Sequence, residues 1–172
     1  MRPLLPLAML SSLLVVGGFN EGLRWNASPS MPTGIWRVAP LQGPPTRQQA
    51  VALCLPEAAA RLGRERGYLD YGDCPGQAEM LIKTIAAIPG DRVTVSDDGI
   101  SINGEPVADS KPLASDEAGR PLKSTDKGVY VVANNEVWVI SSRDPRSYDS
   151  RYWGSVHLSE LRGSANPVAT TQ

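Results

Sequence analysis

Ser30 and Lys83 are the two side chains in this sequence best suited to do chemistry together, each inside a short patterned segment. Ser30 lies in Ser28-Pro29-Ser30-Met31-Pro32, and Lys83 in Leu81-Ile82-Lys83-Thr84-Ile85-Ala86-Ala87-Ile88-Pro89-Gly90-Asp91. A serine hydroxyl is a poor nucleophile until a base removes its proton during attack. Lysine can be that base only as a neutral amine, and its reference pKa is about 10.4. Lowering that value to about 7–8 takes roughly 4 kcal/mol of selective penalty on the ammonium. Burial among apolar side chains supplies such a penalty, because desolvation disfavours the charged form. If 80–88 is a strand, Lys83 shares a face with Leu81, Ile85 and Ala87, which is that kind of surrounding. The chemistry implied is acyl transfer without histidine, and the single histidine, His157, has no evident partner role.

Ser28 adds a second hydroxyl two residues before Ser30. Its Oγ and the Ser30 backbone N–H could both point at one carbonyl oxygen, and a single such donor is worth roughly 3–4 kcal/mol of barrier. Pro29 stiffens the spacing, and neither neighbouring proline removes the Ser30 N–H. A third segment, Ser147-Tyr148-Asp149-Ser150-Arg151-Tyr152-Trp153-Gly154, offers another hydroxyl beside an Asp/Arg pair that could brace its loop. Taken singly, each piece has a plainer reading. A serine beside prolines makes turns, a strand-end lysine snorkels its head into water, and Arg143, Asp144 and Arg146 read as a solvated loop.

The elements that must position these groups read as mainly β. Fifteen prolines and sixteen glycines, with one phenylalanine, point to many turns and short strands. At 172 residues a single domain with a real core is expected. Seventeen basic residues against eighteen acidic ones, with no lysine or arginine run, argue against a nucleic-acid partner. Strands are expected at 35–38, 51–55, 80–88, 92–95, 100–102, 128–133, 136–140 and 153–158. Asn134-Asn135 would join two of them in a tight turn, and a short helix is expected over 57–66 behind Pro56. Residues 108–127 read as a surface excursion, and 164–172 as a flexible tail.

The first twenty residues differ in character. From Pro3 to Phe19 there is no charge, and seventeen residues at ~1.5 Å rise cover roughly 25 Å, the short end of a bilayer span. Arg2 and the α-amino group precede this stretch, which keeps the N-terminus cytoplasmic and exports residues 21–163. A removable signal peptide is the alternative, though no Ala-x-Ala site follows. Cys54 and Cys74 then lie on the exported side. In an oxidising compartment they could close a loop worth roughly 3 kcal/mol; two unpaired buried thiols are the other reading. No metal or cofactor is expected, because two cysteines and one distant histidine cannot furnish four ligands.

The three segments, in this order, resemble the nucleophile, lysine and third boxes of the type I signal peptidase family of Ser/Lys proteases. The resemblance implies a signal-peptidase-like β-barrel or sandwich catalytic domain with one N-terminal membrane helix and a short helix. It would sit at the cytoplasmic (inner) membrane as a single-pass protein, in contact with lipid through its first segment and with its catalytic domain in the periplasm. By position it makes Ser30 the nucleophile, Lys83 the general base and Ser28 the oxyanion donor. Ser147 would orient the lysine, with Asp149 and Arg151 as a supporting pair. The middle segment, Cys54 through Arg66-Gly67-Tyr68-Leu69 to Gly72-x-Cys74-Pro75, is similar to the conjugative-transfer branch, whose substrate is a mating-pilin precursor. An acyl-enzyme there yields to water or to an amine, giving hydrolysis or joined ends. Two departures weigh against a housekeeping secretory role: Thr84 stands where an arginine is usual, and Ser141-Ser142-Arg143 where Gly-Asp-Asn is usual. Other classes weighed are a self-cleaving regulator on a related fold and a non-catalytic envelope component of a mating apparatus.

Overall fold

The strand that carries Lys83, β5 (Leu81–Ala87), is buried at six of its seven positions. That is the pattern of an interior strand covered on both faces rather than of a half-exposed one. In the computed structural model, which describes residues 22–171, β5 lies inside a seven-stranded sheet. The expected membrane segment over residues 1–20 lies outside the described residues. Among those described, no helix is long and apolar enough to cross a membrane.

The chain builds β1 (Leu23–Asn26), β2 (Gly34–Ala39), β3 (Ala50–Leu53), helix α1 (Glu57–Glu65) and β4 (Tyr71–Cys74) before β5. It continues through β6 (Arg92–Ser96), β7 (Gly99–Ile102), β8 (Glu105–Pro106), β9 (Gly128–Val131) and β10 (Glu136–Val139). A single helical turn, α2 (Ser150–Trp153), then leads to β11 (Val156–His157) and β12 (Leu161–Thr170). The large sheet has the order β1-β2-β12-β3-β5-β10-β11, and a four-stranded sheet has the order β8-β7-β6-β9. The fold is mainly β, and the neighbouring strands of both sheets pair antiparallel.

Local signals explain much of this. Pro56 immediately precedes α1, and Glu57 pairs with Arg61 one turn on. Asn103 and Gly104 both take positive φ and close the β7–β8 hairpin, as an Asn-Gly turn should. Asp91, at the end of the Pro-Gly-Asp turn after β5, accepts hydrogen bonds from the Ile88 N–H, the Asn103 amide and the Arg47 guanidinium. These hold its carboxyl down at about pKa 2, the Arg47 hydrogen bond contributing most.

Three expectations are corrected. The loose tail expected over 164–172 is a strand as far as Thr170, where β12 lies between β2 and β3. Its small, polar sequence, with Gly163 and Pro167, has little strand propensity of its own. Gly163 is there because a Cβ would lie 2.2 Å from the Ala39 carbonyl oxygen. Pro167 is tolerated because β3 pairs only as far as Ser164, and the register shifts between Pro167 and Ala169. Second, 153–158 is not one strand: α2 takes Trp153, and β11 keeps only Val156–His157. Third, the turn at Asn134-Asn135 forms, but β9 and β10 do not pair. They enter different sheets, β9 beside β6 and β10 beside β5 and β11.

Core packing follows the two sheets. Val51, Leu53, Leu55, Leu81, Ile85, Val137 and Val139 form one buried cluster under α1, and Val93, Val95, Ile100 and Trp138 another beneath the smaller sheet. Met31, Trp36, Ile82 and Ala165 make a third, directly below the loop that bears Ser30. Cys54 and Cys74 are joined in a disulfide, tying the chain just past β3 to the end of β4.

Candidate active site

The loop from β1 to β2 carries Ser28 and Ser30, and its shape is fixed from inside. The buried Asn26 side chain donates to the carbonyls of Ser28 (2.9 Å), Met31 (3.3 Å) and Pro32 (3.1 Å). Trp36 Nε1 donates to the Pro32 carbonyl at 2.9 Å, and Met31 anchors the loop in the third cluster. Thr84 supports it from β5, its hydroxyl lying 3.4 Å from Met31 Sδ.

Lys83 comes to that loop from the face of β5 shared with Leu81 and Ile85, opposite the fully buried Val51. Its Nζ is 2.7 Å from Ser30 Oγ and 2.9 Å from Ser147 Oγ. The residue is only 3% exposed, so snorkelling is ruled out. Burial lowers its pKa from 10.5 to about 8; the nearby Asp149 and Asp144 oppose that shift, and Arg151 adds to it. An amine poised there is neutral in a substantial fraction of molecules at mildly alkaline pH.

Ser28 Oγ lies 2.8 Å from Ser30 Oγ, and the Ser30 N–H approaches Ser28 Oγ at 3.4 Å. Both donors therefore converge beside the nucleophilic oxygen. A substrate carbonyl oxygen entering there would replace the long contact between them.

The third segment closes the site from above. Ser147 is presented by a turn in which its N–H donates to the Asp144 carbonyl at 3.0 Å. Asp144, expected in a solvated loop, is instead 9% exposed and accepts the Arg146 N–H at 2.9 Å. Asp149 and Arg151 are both fully buried and paired through two oxygens, Nε to Oδ1 at 2.8 Å and Nη2 to Oδ2 at 3.0 Å. The remaining guanidinium donors reach the carbonyls of Asp109, Pro145 and Ser141, each at 2.8 Å. A buried pair with its donors so satisfied holds geometry, and removing one partner typically costs several kcal/mol.

All the residues singled out from sequence thus meet: Ser28, Ser30, Lys83 and Ser147 in hydrogen-bonding reach, with Asp149 and Arg151 behind them. Ser141 and Asn26 belong to the same assembly and escaped notice. Ser141 accepts the Arg143 N–H at 3.2 Å and donates its hydroxyl to the Ser30 carbonyl at 2.6 Å. Its N–H donates to Asp149 Oδ2 at 3.0 Å, so it links the buried ion pair to the nucleophile. No local pattern marks such a serine; its departure from the usual Gly-Asp-Asn was the one available signal. Asn26 was visible only as part of an uninformative Asn-x-Ser triplet. Among the described residues, no group of three or more His, Cys, Asp or Glu could hold a metal ion.

A buried lysine in hydrogen-bonding contact with a serine, on a mainly β frame, could support acyl transfer without histidine. The family model described as signal peptidase, peptidase S26, matches residues 3–169. The chain belongs to that family. It is similar to the plasmid transfer protein TraF of Escherichia coli, with 34% identity over 92% of this chain and 88% of the relative. It is also similar to the conjugal transfer protein TraF of Agrobacterium tumefaciens (strain 15955), with 40% identity over 95% of this chain and 91% of the relative. Among solved structures, signal peptidase I of Enterococcus faecalis V583 aligns with a TM-score of 0.40 and 20% identity, covering 72% of this chain and 97% of that one.

Proposed function

We propose that this protein is a membrane-anchored serine endopeptidase with Ser30 as nucleophile and Lys83 as general base. The observation that carries the reading is the 2.7 Å contact between a buried, low-pKa lysine amine and a serine hydroxyl. In the proposed cycle, neutral Lys83 Nζ takes the Ser30 proton as Oγ attacks the scissile carbonyl carbon. The oxyanion is held by Ser28 Oγ and the Ser30 N–H. The lysine ammonium then returns the proton to the leaving amine, leaving an ester on Ser30. Ser147 keeps Nζ aimed throughout, and water or an amine resolves the ester.

The substrate in this reading is a pilin-like precursor of a mating apparatus. Its support is the likeness to proteins named for plasmid and conjugal transfer over nearly the whole chain. The uncharged stretch 3–19 suits a single anchor in the cytoplasmic membrane, and a disulfide suits a catalytic domain in the periplasm.

Processing of such a precursor by the full chain tests the proposal. Ser30→Ala and Lys83→Ala should leave it uncut. Lys83→Arg should do the same, because arginine keeps the charge but cannot be a neutral base at working pH. Full processing by Lys83→Arg would sink the mechanism. Cutting of a broad panel of secretory precursors would redirect the substrate to general leader peptides.

A further inference from the structure

Two cavities meet at the serine–lysine contact. One, of about 830 Å³, is lined by Ser30, Trp25, Ile82 and the Cys54–Cys74 disulfide but not by Lys83. The other, of about 470 Å³, is lined by Lys83 and Ser147 but not by Ser30. Ser28, Pro29, Tyr68, Glu79 and Leu81 border both and form the divide. Ser30 thus lines one chamber and Lys83 the other.

We infer that the smaller cavity receives the polypeptide on the leaving side of the cut, and that it favours apolar or aromatic residues directly after the scissile bond. This rests on the Ser30/Lys83 reading above and goes further by assigning the two halves of the substrate. Attack forms the Ser30 Oγ–carbon bond and moves the hydroxyl proton to Nζ. Collapse breaks the carbon–nitrogen bond, and the departing nitrogen must collect that same proton. It therefore sits within hydrogen-bonding distance of Nζ, on the side of the lysine-lined cavity. The acyl half stays bonded to Ser30 and extends along the larger chamber. The molecule that resolves the ester, giving its proton back through Nζ, arrives where the leaving segment was.

The lining of the smaller cavity states what it can hold. Tyr68, Tyr148 and Tyr152 form a run of rings, with centroids 5.2 Å and 5.9 Å apart. Their hydroxyls are already engaged, Tyr68 to Asp116, Tyr148 to the Ala59 carbonyl at 3.1 Å, and Tyr152 from the Leu113 N–H at 3.1 Å. Most of the charges around it are paired, Arg120 and Arg66 with Asp116 and Arg146 with Glu117 and Asp144, while Glu79 at the divide accepts the Asp70 N–H at 3.0 Å. Ring faces and the exposed Leu113 remain for contact, which suits an apolar side chain and offers little to a charged one.

The test uses the full chain in detergent with two peptides that share one acyl half. After the cut, one carries aromatic and apolar residues and the other carries glycine and serine. The wild type should prefer the first by about ten-fold in kcat/KM, the size of one apolar pocket contact. Leu113→Lys should collapse that ratio, whatever loss it causes on both peptides together. Equal cutting of the two peptides by the wild type, or a ratio unmoved by Leu113→Lys, overturns the assignment while leaving the Ser/Lys mechanism standing. Failure to cut either peptide, with a pilin-like precursor also uncut, would bring down the mechanism itself.

Discussion

Ser141 donates its hydroxyl to the backbone carbonyl of Ser30 at 2.6 Å, across 111 residues of sequence. The turn around Ser30 satisfies the carbonyls of Ser28, Met31 and Pro32 internally, through Asn26, Trp36 and the Met31 N–H. The Ser30 carbonyl receives its donor from the third segment instead, so the nucleophile is set by a group that also contacts the Asp149–Arg151 pair. Ser141→Ala should leave this buried oxygen unpaired at a cost of about 1–3 kcal/mol and loosen the aim of Oγ. The expected result is a kcat about ten-fold lower with KM and the pH midpoint unchanged. Restoration of kcat by Ser141→Thr would separate this from a loss of packing.

The pH dependence follows from the lysine. In the proposed mechanism Lys83 works when neutral, and burial lowers its pKa to about 8. Activity should therefore rise as pH increases through about 8 and level off above it. Initial rates across the neutral to alkaline range measure this, and a midpoint near that of a free lysine would contradict the role of burial. Ser147→Ala should shift the midpoint, since it removes the 2.9 Å contact at Nζ.

The same burial makes Lys83 a stability cost. Its pKa is 10.5 before folding and about 8 after, so between these values the unfolded chain binds the extra proton. Stability from this group is thus full above the unfolded value and is lost as pH falls through the folded one, by about 3 kcal/mol. Lys83→Met should abolish cleavage yet raise the thermal midpoint at neutral pH, the net gain being about 1–2 kcal/mol after two hydroxyl contacts are lost. The gain should fade in alkaline buffer. Thermal melts of both proteins at two pH values would decide it.

The disulfide ties β4, one wall of the larger cavity, to the end of the strand that pairs with β5. Replacing both Cys54 and Cys74 by serine should cost about 3 kcal/mol in a loop of this length. If the acyl half of the substrate occupies that cavity as inferred, KM should rise more than kcat falls. Steady-state kinetics below the new melting point check the split; an unchanged KM would confine the bridge to stability.

Sequence alone determined the chemistry types and most local structure. Ser28, Ser30 and Lys83 suggest acyl transfer by kind and spacing, and β2, β3, β5, β6 and β7 follow from alternating or continuously apolar runs bounded by Pro-Gly-Asp, Asp-Asp-Gly and Asn-Gly turns. Helix α1 starts where Pro56 and Glu57 say it should. These signals act between residues a few positions apart, so they can be read along the chain. The tertiary structure decided the rest. Leu161–Thr170 has little propensity of its own and becomes β12 because β2 and β3 offer it unpaired backbone. β9 and β10 part at the Asn134-Asn135 turn because one completes the small sheet and the other covers β5. Lys83 is only a lysine in an apolar strand until the neighbouring strands and the Ser30 and Ser147 loops cover it, and the pKa that makes it a base is a property of that burial. Desolvation and pairing depend on what lies across space, which no window of sequence contains.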